Sequence, residues 1–369
     1  MRRPLTRQAS TWALAATAAA SLALAAATTA SGEDAAPRPT IAPDGVTHAP
    51  AFDLPPSSLA SPQSANLLRL RGAMTPHPHP VFRTIEDERA QMERGLAPQV
   101  QASLDRFPVE IVEQTIAGVH VRVITPKGRA ADPGRVLINL HGGAFMMCAK
   151  GCAIAESAPI AALGGFKVIS IDYREAPEAA FPAANEDVAR VYKELLRTYR
   201  PGRIGIYGCS AGGALSAEMA AWLPAHGLPQ AGAIGVFGAG GLQGRRGDSA
   251  YFAGYLDPSF LPPSLSGEPP PRLTFETYFN GADVDGPIIA PARHPKVLAR
   301  FPPTLIITST RAPDMSPAIF THSQLVKAGV PGDLIVGEGL GHCYIYNSDL
   351  PEARDADQAI ADFFRRNLK

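Results

Sequence analysis

Short, dense apolar runs alternate with stretches whose apolar positions recur at helical spacing, and this rhythm organises the chain from about residue 120 to its end. Val136–Leu140, Lys167–Ile171, Ile204–Tyr207, Ala233–Phe237, Thr304–Ile307 and Leu334–Val336 read as strands, most of them too uniformly apolar to have a wet face. His120–Ile124 alternates polar and apolar positions and suits an outer strand. Between the strands, Ala184–Tyr199, Ala211–Trp222, Ser316–Lys327 (with Ser316 as its cap) and Asp355–Asn367 read as helices. Strand–helix alternation of this kind predicts an α/β fold with a mainly parallel sheet covered on both faces.

Four stretches fall outside the rhythm. Residues 1–30 open with Arg2, Arg3 and Arg7, continue as an Ala-rich apolar run and end in small residues, as a cleavable export signal does. The Arg2-Arg3 pair resembles a twin-arginine signal, although its flanks fit poorly. A secreted or periplasmic protein is therefore expected. Residues 31–80, rich in Pro, Ala, Ser and Asp, read as a disordered or surface arm. His77 and His79 within it lack the further ligands a metal would need. Residues from Val81 to Phe107 are charged and helical in pattern, and residues 240–300 are rich in Gly, Pro and aromatics; both suit a cap over a site.

Composition narrows the function. Over 369 residues Lys plus Arg and Asp plus Glu both number 34, so no net charge favours a polyanion, and nucleic acid is not an expected partner. A hydrophobic fraction of 46% suits a substantial core. The leading apolar run is too Ala-rich for a good membrane anchor, and no integral membrane role is expected.

The chemistry lies at the ends of the predicted strands. Gly208-Cys209-Ser210-Ala211-Gly212 is a G-x-S-x-G sequence between an apolar strand and a helix, where a sharp turn would expose a serine hydroxyl. His141-Gly142-Gly143-Ala144-Phe145 follows another buried strand, and its glycines let backbone N–H groups approach a substrate oxygen. The expected oxyanion donors are the amides of Gly142, Gly143 and Ala211. A serine nucleophile needs a base, and the base an orienting carboxylate, in the chain order Ser, acid, His. Of His226, His294, His322 and His342, only His342 follows the last predicted strand, in a Gly-Leu-Gly-His turn. Asp314 is the one carboxylate in the loop after Thr304–Ile307, with Asp283, Asp285 and Asp333 as fallbacks.

Together these motifs resemble the hormone-sensitive-lipase-like family of α/β hydrolases, the bacterial carboxylesterases, acetylesterases and arylesterases. The HGGG loop of that family stands here as His141–Ala144, its GDSAGG elbow as Gly208–Gly213, and its DYRLAPE segment as Asp172–Glu178, followed by Phe181-Pro182-Ala183. The resemblance runs from about Val81 to the end of the chain. It implies an α/β-hydrolase fold with an N-terminal cap, here over 81–117, and no cofactor; the expected architecture is a mostly parallel eight-stranded sheet with a cap insertion over 240–300, and no metal is expected. The resemblance also implies that His141 supports the loop rather than acting as base. The chain departs from the family at Cys209 for Asp, Ala144 for Gly and Glu175 for Leu. Ala312 stands where a GTRD-like acid would, two residues before Asp314.

The expected reaction is hydrolysis of a short-chain acyl ester, such as an acetyl ester, through an acyl-enzyme on Ser210, with a small-molecule substrate. A lactonase, amidase or exopeptidase could use the same site, and a hydrolase-fold binding protein without catalysis is the alternative of a different class. Of the four cysteines, Cys209 and Cys343 flank Ser210 and His342, so a disulfide between them is conceivable. Cys148 and Cys152, four apart, would be too distant on a regular helix and could pair only in a loop.

Overall fold

The computed structural model describes residues 38–73, 84–243, 247–256 and 275–369; the export signal read in the sequence, His77 and His79 lie outside them. The chain forms two units, Met1–Pro55 and Pro56–Lys369. In the first, β1 (Thr40–Ile41) pairs antiparallel with β2 (Thr47–His48). The Asp44 carboxylate holds the intervening turn by accepting from the Val46 amide at 3.0 Å.

The second unit begins with α1 (Pro62–Ala73), a helix inside the stretch expected to be an arm. It is docked: Leu67 packs on the core, and the Ser61 amide donates to Glu352 at 2.7 Å. Its sequence lacks an amphipathic stripe, which is why periodicity missed it. Next comes α2 (Ile85–Arg106), whose first turn carries Glu86, Asp87 and Glu88 and is capped by the Thr84 hydroxyl. The edge strand β3 (Val109–Ile116) follows, then β4 (Val119–Pro126), β5 (Val136–Leu140) and α3 (Gly151–Gly164). After β6 (Lys167–Ile171) come α4 (Ala183–Leu195), β7 (Ile204–Cys209), α5 (Ala211–Ala225) and β8 (Ala233–Phe237). Then follow α6 (Asp248–Leu256), α7 (Pro295–Leu298), β9 (Thr304–Ser309), α8 (Met315–Lys327), β10 (Gly332–Gly337) and α9 (Pro351–Asn367).

The eight strands β3–β10 form one sheet in the order β10-β9-β8-β7-β5-β6-β4-β3. Strands β5 to β10 are parallel, and β4 and β3 add antiparallel pairs at one side. The strand around His120–Ile124 is not outermost, because β3 lies beyond it, joined through a tight turn with Ala117 at φ 49° and Gly118 at φ 79°. Residues 109–116 therefore belong to the sheet, and only the stretch up to Phe107 could act as a cap. Periodicity did not mark β3 because an edge strand buries little: its Glu110, Glu113 and Gln114 are exposed.

The sheet separates two apolar layers. On β5, Val136, Ile138 and Leu140 face the layer under α4, α5 and α8, whereas Leu137 faces the layer under α3 and α9. Helix α4 supplies Ala184, Val188, Val191 and Leu195, a 3.6-residue stripe, to the first layer. The chain moves from β5 outward to β6, then crosses back to β7 on the other side of β5. Open α/β sheets bind ligands at such a reversal, beyond the carboxyl ends of the two strands. Leu140 on β5 and Gly208 on β7 are in register there, so the loop from His141 and the turn at Ser210 emerge side by side.

Candidate active site

The turn after β7 is as sharp as its sequence demands. Ser210 sits at φ 58°, ψ −121°, a conformation non-glycine residues rarely hold, at the N-cap position of α5. Crowding explains the neighbouring glycines: a Cβ on Gly212 would overlap the Leu140 carbonyl oxygen, and one on Gly208 the same atom. The Ser210 amide donates to the Phe237 carbonyl at 2.8 Å, locking the elbow to β8.

Three elements bring partners to this hydroxyl. His342, in the turn after β10, places Nε2 2.9 Å from Ser210 Oγ. Its Nδ1 lies 2.6 Å from Asp314 Oδ1, at the N-terminus of α8. A carboxylate can only accept, so Nδ1 carries the proton and Nε2 is left to accept from the serine hydroxyl. The other Asp314 oxygen, Oδ2, accepts from Thr308 Oγ1 of β9 at 2.6 Å. Asp314 thus makes no capping bond to α8, and the loop before it is held by the Ala312 amide on Ser309 O and the Arg311 amide on Leu340 O. Ser316 is not the helix cap expected of it; it lies inside α8, and its Oγ accepts from the Ser249 amide at 3.0 Å.

The alternatives weighed in the sequence are elsewhere. Asp285 faces Arg293 at 3.4 Å, Asp333 faces Arg366 at 3.5 Å, and Asp283 accepts from the Asp285 amide at 3.2 Å. His226 stacks on Trp222, His294 reaches Asp285 O, and His322 reaches Gly332 O.

The glycine loop corrects one expectation. The Gly142 amide does not face the site; it donates to Glu156 Oε1 at 2.9 Å within the protein. Gly143 at φ 114° and Ala144 at φ 58° carry the next two amides, and neither these nor the Ala211 amide meets a protein acceptor among the described residues. A Cβ on Gly143 would overlap the Met147 carbonyl, so the loop can close only with glycine there. His141, expected from the resemblance to support the loop, hydrogen-bonds to it. Wholly buried and stacked on Tyr173 at 4.2 Å, it holds the Gly142 carbonyl from Nδ1 at 2.8 Å. That carbonyl and the Gly143 N–H lie on opposite edges of one peptide plane, so fixing one aims the other. Burial keeps the His141 imidazole below its ordinary basicity, hence neutral.

A cavity of about 170 Å³ opens beside the serine. Ala144, Ala211, Ala214, Leu242 and Pro317 give it a small-residue, apolar wall, and Gln243 adds an amide that Glu218 holds at 2.7 Å. Leu242 and Gln243 begin the 240–300 excursion, whose Tyr278 and Phe279 pack on Phe145 at 4.7 and 5.1 Å. Helix α2 lines none of this cavity; it grips the far side of the glycine loop, Arg89 donating to the Met146 carbonyl at 2.7 Å. Among the described residues no group of His, Cys, Asp and Glu could hold a metal.

Both cysteine pairs are disulfides. Cys209–Cys343 ties the residue before Ser210 to the residue after His342. Cys148–Cys152 also closes, because Cys148 sits in the loop before α3 at φ 73° rather than on the helix, with its Cα 5.4 Å from that of Cys152. Glu156 and Thr308 were missed in the sequence, although a lone glutamate in the apolar run Gly151–Gly164 is itself a signal of a buried, partnered carboxylate.

A strained elbow serine, an imidazole within hydrogen-bonding distance and unengaged amides at a strand-order reversal define a hydrolase of the serine type built on a doubly wound sheet. A family model for the alpha/beta hydrolase fold matches residues 137–346, and the chain belongs to that family. It is 28% identical over 242 residues to an acetyl-hydrolase of Streptomyces hygroscopicus, covering 64% of this chain and 77% of the relative. Over 103 residues it is 42% identical to a carboxylesterase/phospholipase of Mycobacterium tuberculosis, covering 27% of each. Among solved structures, an esterase called E25 superposes with TM-score 0.73 at 28% identity, covering 87% of this chain and 99% of that one. An esterase from the bacterial hormone-sensitive lipase family gives 0.71 at 26% identity, over 84% and 99%.

Proposed function

We propose that the chain is a serine esterase that cleaves short-acyl esters through an acyl-enzyme on Ser210. The 2.9 Å approach of Ser210 Oγ to His342 Nε2 carries this reading. His342 takes the hydroxyl proton as Ser210 attacks the ester carbonyl, and Asp314 stabilises the imidazolium that forms. The developing oxyanion is received by the amides of Gly143, Ala144 and Ala211. The imidazolium then protonates the departing alcohol, and water, activated by the same base, releases the acid. A cavity of about 170 Å³ walled by alanines supports a small acyl group such as acetyl. The acetyl-hydrolase and esterase names of the relatives point the same way.

The export reading is also proposed. Two disulfides support it, since such bonds persist in oxidising compartments. No helix among the described residues is long and apolar enough to cross a membrane.

A series of p-nitrophenyl esters from acetyl to decanoyl tests the reading, with Ser210→Ala as the control. Activity should be greatest on the shortest acyl groups and fall by about 10⁶ in kcat in the variant. Ester cleavage by Ser210→Ala at the parent rate would overturn the assignment.

A further inference from the structure

We propose that Glu156 is a positioning residue for ester cleavage, a buried carboxylate that fixes the two backbone segments presenting the oxyanion donors. This rests on the esterase reading above.

Glu156 lies on α3, 4% exposed, behind the site rather than in its cavity. Its carboxylate accepts four hydrogen bonds. Oε1 receives the Gly142 amide at 2.9 Å and Tyr346 Oη at 2.6 Å; Oε2 receives Asn139 Nδ2 at 2.7 Å and the Cys209 amide at 3.2 Å. Two of these donors sit just upstream of the proposed oxyanion amides: Gly142 before Gly143 and Ala144, Cys209 before Ser210 and Ala211. A third, Tyr346, comes from the turn that carries His342. One side chain therefore joins the glycine loop, the nucleophile elbow and the histidine turn.

The chemistry suits a carboxylate and little else. All four partners are donors, and only a group with two acceptor oxygens can satisfy them together. An apolar residue of equal size would strand buried amides, each at a cost of about 1–3 kcal/mol. Space is equally specific, since a Cβ on Gly142 would overlap Tyr346 Oη. With the Gly142 N–H held inward by Glu156 and its C=O held by His141, the peptide planes on both sides of Gly142 are set before substrate arrives. Preorganised donors of this kind accelerate because they need no reorientation as charge develops.

Glu156→Gln keeps the shape but turns an NH₂ toward one of the two donor pairs. The expected result, with p-nitrophenyl acetate, is a fall in kcat of about 10- to 100-fold, a fraction of the loss of a whole oxyanion donor, with KM within about twofold. Tyr346→Phe, which removes one donor and leaves the carboxylate, should lower kcat several-fold with KM unchanged. Asp357→Asn, at another buried carboxylate on α9, serves as a control for stability alone and should leave kcat at the parent value. The proposal is overturned if folded Glu156→Gln keeps kcat within twofold of the parent, if its loss lies in KM, or if Asp357→Asn of equal Tm loses as much. Should Glu156→Gln not fold, Tyr346→Phe decides: an unchanged kcat overturns the proposal. Ester cleavage surviving in Ser210→Ala would instead defeat the esterase reading beneath it.

Discussion

At the residue scale, the proposed chemistry depends on hydrogen atoms being in the right place. Asp314 fixes the imidazole with the proton on Nδ1, and Thr308 fixes Asp314. Asp314→Asn would offer an amide NH₂ or carbonyl in place of that acceptor and favour the wrong tautomer. By comparison with other serine hydrolases, kcat should fall by about 10⁴ at neutral pH; steady-state kinetics on p-nitrophenyl acetate checks it. Thr308→Val removes only the second hydrogen bond, so a loss of about tenfold is expected from the same assay, the low end of what one hydrogen bond to a charged group is worth. That Ser210 and His342 would meet was legible in the sequence, because each follows a predicted strand, and the structure places Asp314, named there with three fallbacks, beside His342. The donor set was only partly legible. Spacing marks Gly142, Gly143 and Ala211 as candidates, but which amide points outward depends on the peptide planes around Gly142, and these are set by Glu156, 14 residues away.

At the element scale, the buried strands and amphipathic helices α4 and α9 announced themselves, whereas β3 and α1 did not. Periodicity reports one-sided burial: β3 and α1 lie at the rim and bury too little to leave a pattern, and α3, also missed, is buried along most of its length and has no polar face to alternate with. Helix α2 shows what a charged element does instead. Arg89 donates to the carbonyls of Met146 and Ala176 and pairs with Glu178 at 2.7 Å, while Glu93 accepts from the amides of Lys150 and Gly151. The helix therefore clamps the end of the glycine loop through backbone groups, which no side-chain pattern encodes. Arg89→Ala should cost about 1–3 kcal/mol by withdrawing a charged donor from two carbonyls. Differential scanning calorimetry should show a Tm lower by several degrees.

At the scale of the whole molecule, buried carboxylates tie stability to pH. Glu175, placed where relatives of the hormone-sensitive-lipase type carry Leu, is pushed up from 4.5 to about 8, chiefly by burial, with Arg89 opposing. Its Oε1 has no hydrogen-bond partner among the described residues. A carboxylate whose pKa is higher folded than unfolded favours the folded state at low pH. As pH rises from 4.5 to about 8 the unfolded chain ionises first and the folded state loses ground. Above about 8 no further loss comes from this group. Glu175→Leu should therefore gain Tm relative to the parent progressively across that window and hold a constant advantage beyond it, as thermal scans from pH 5 to 9 would show. Glu218, pushed to about 8 by burial, adds a slope of the same sign.

The Cys209–Cys343 bridge spans 134 residues, and closing so long a loop is worth about 2–5 kcal/mol. Its position also decides what a protease could accomplish. A single cut in the backbone between Ser210 and His342 would leave those two residues on separate fragments, with one covalent link still holding them together. Such a nicked molecule would migrate as one band without reductant and as two with it.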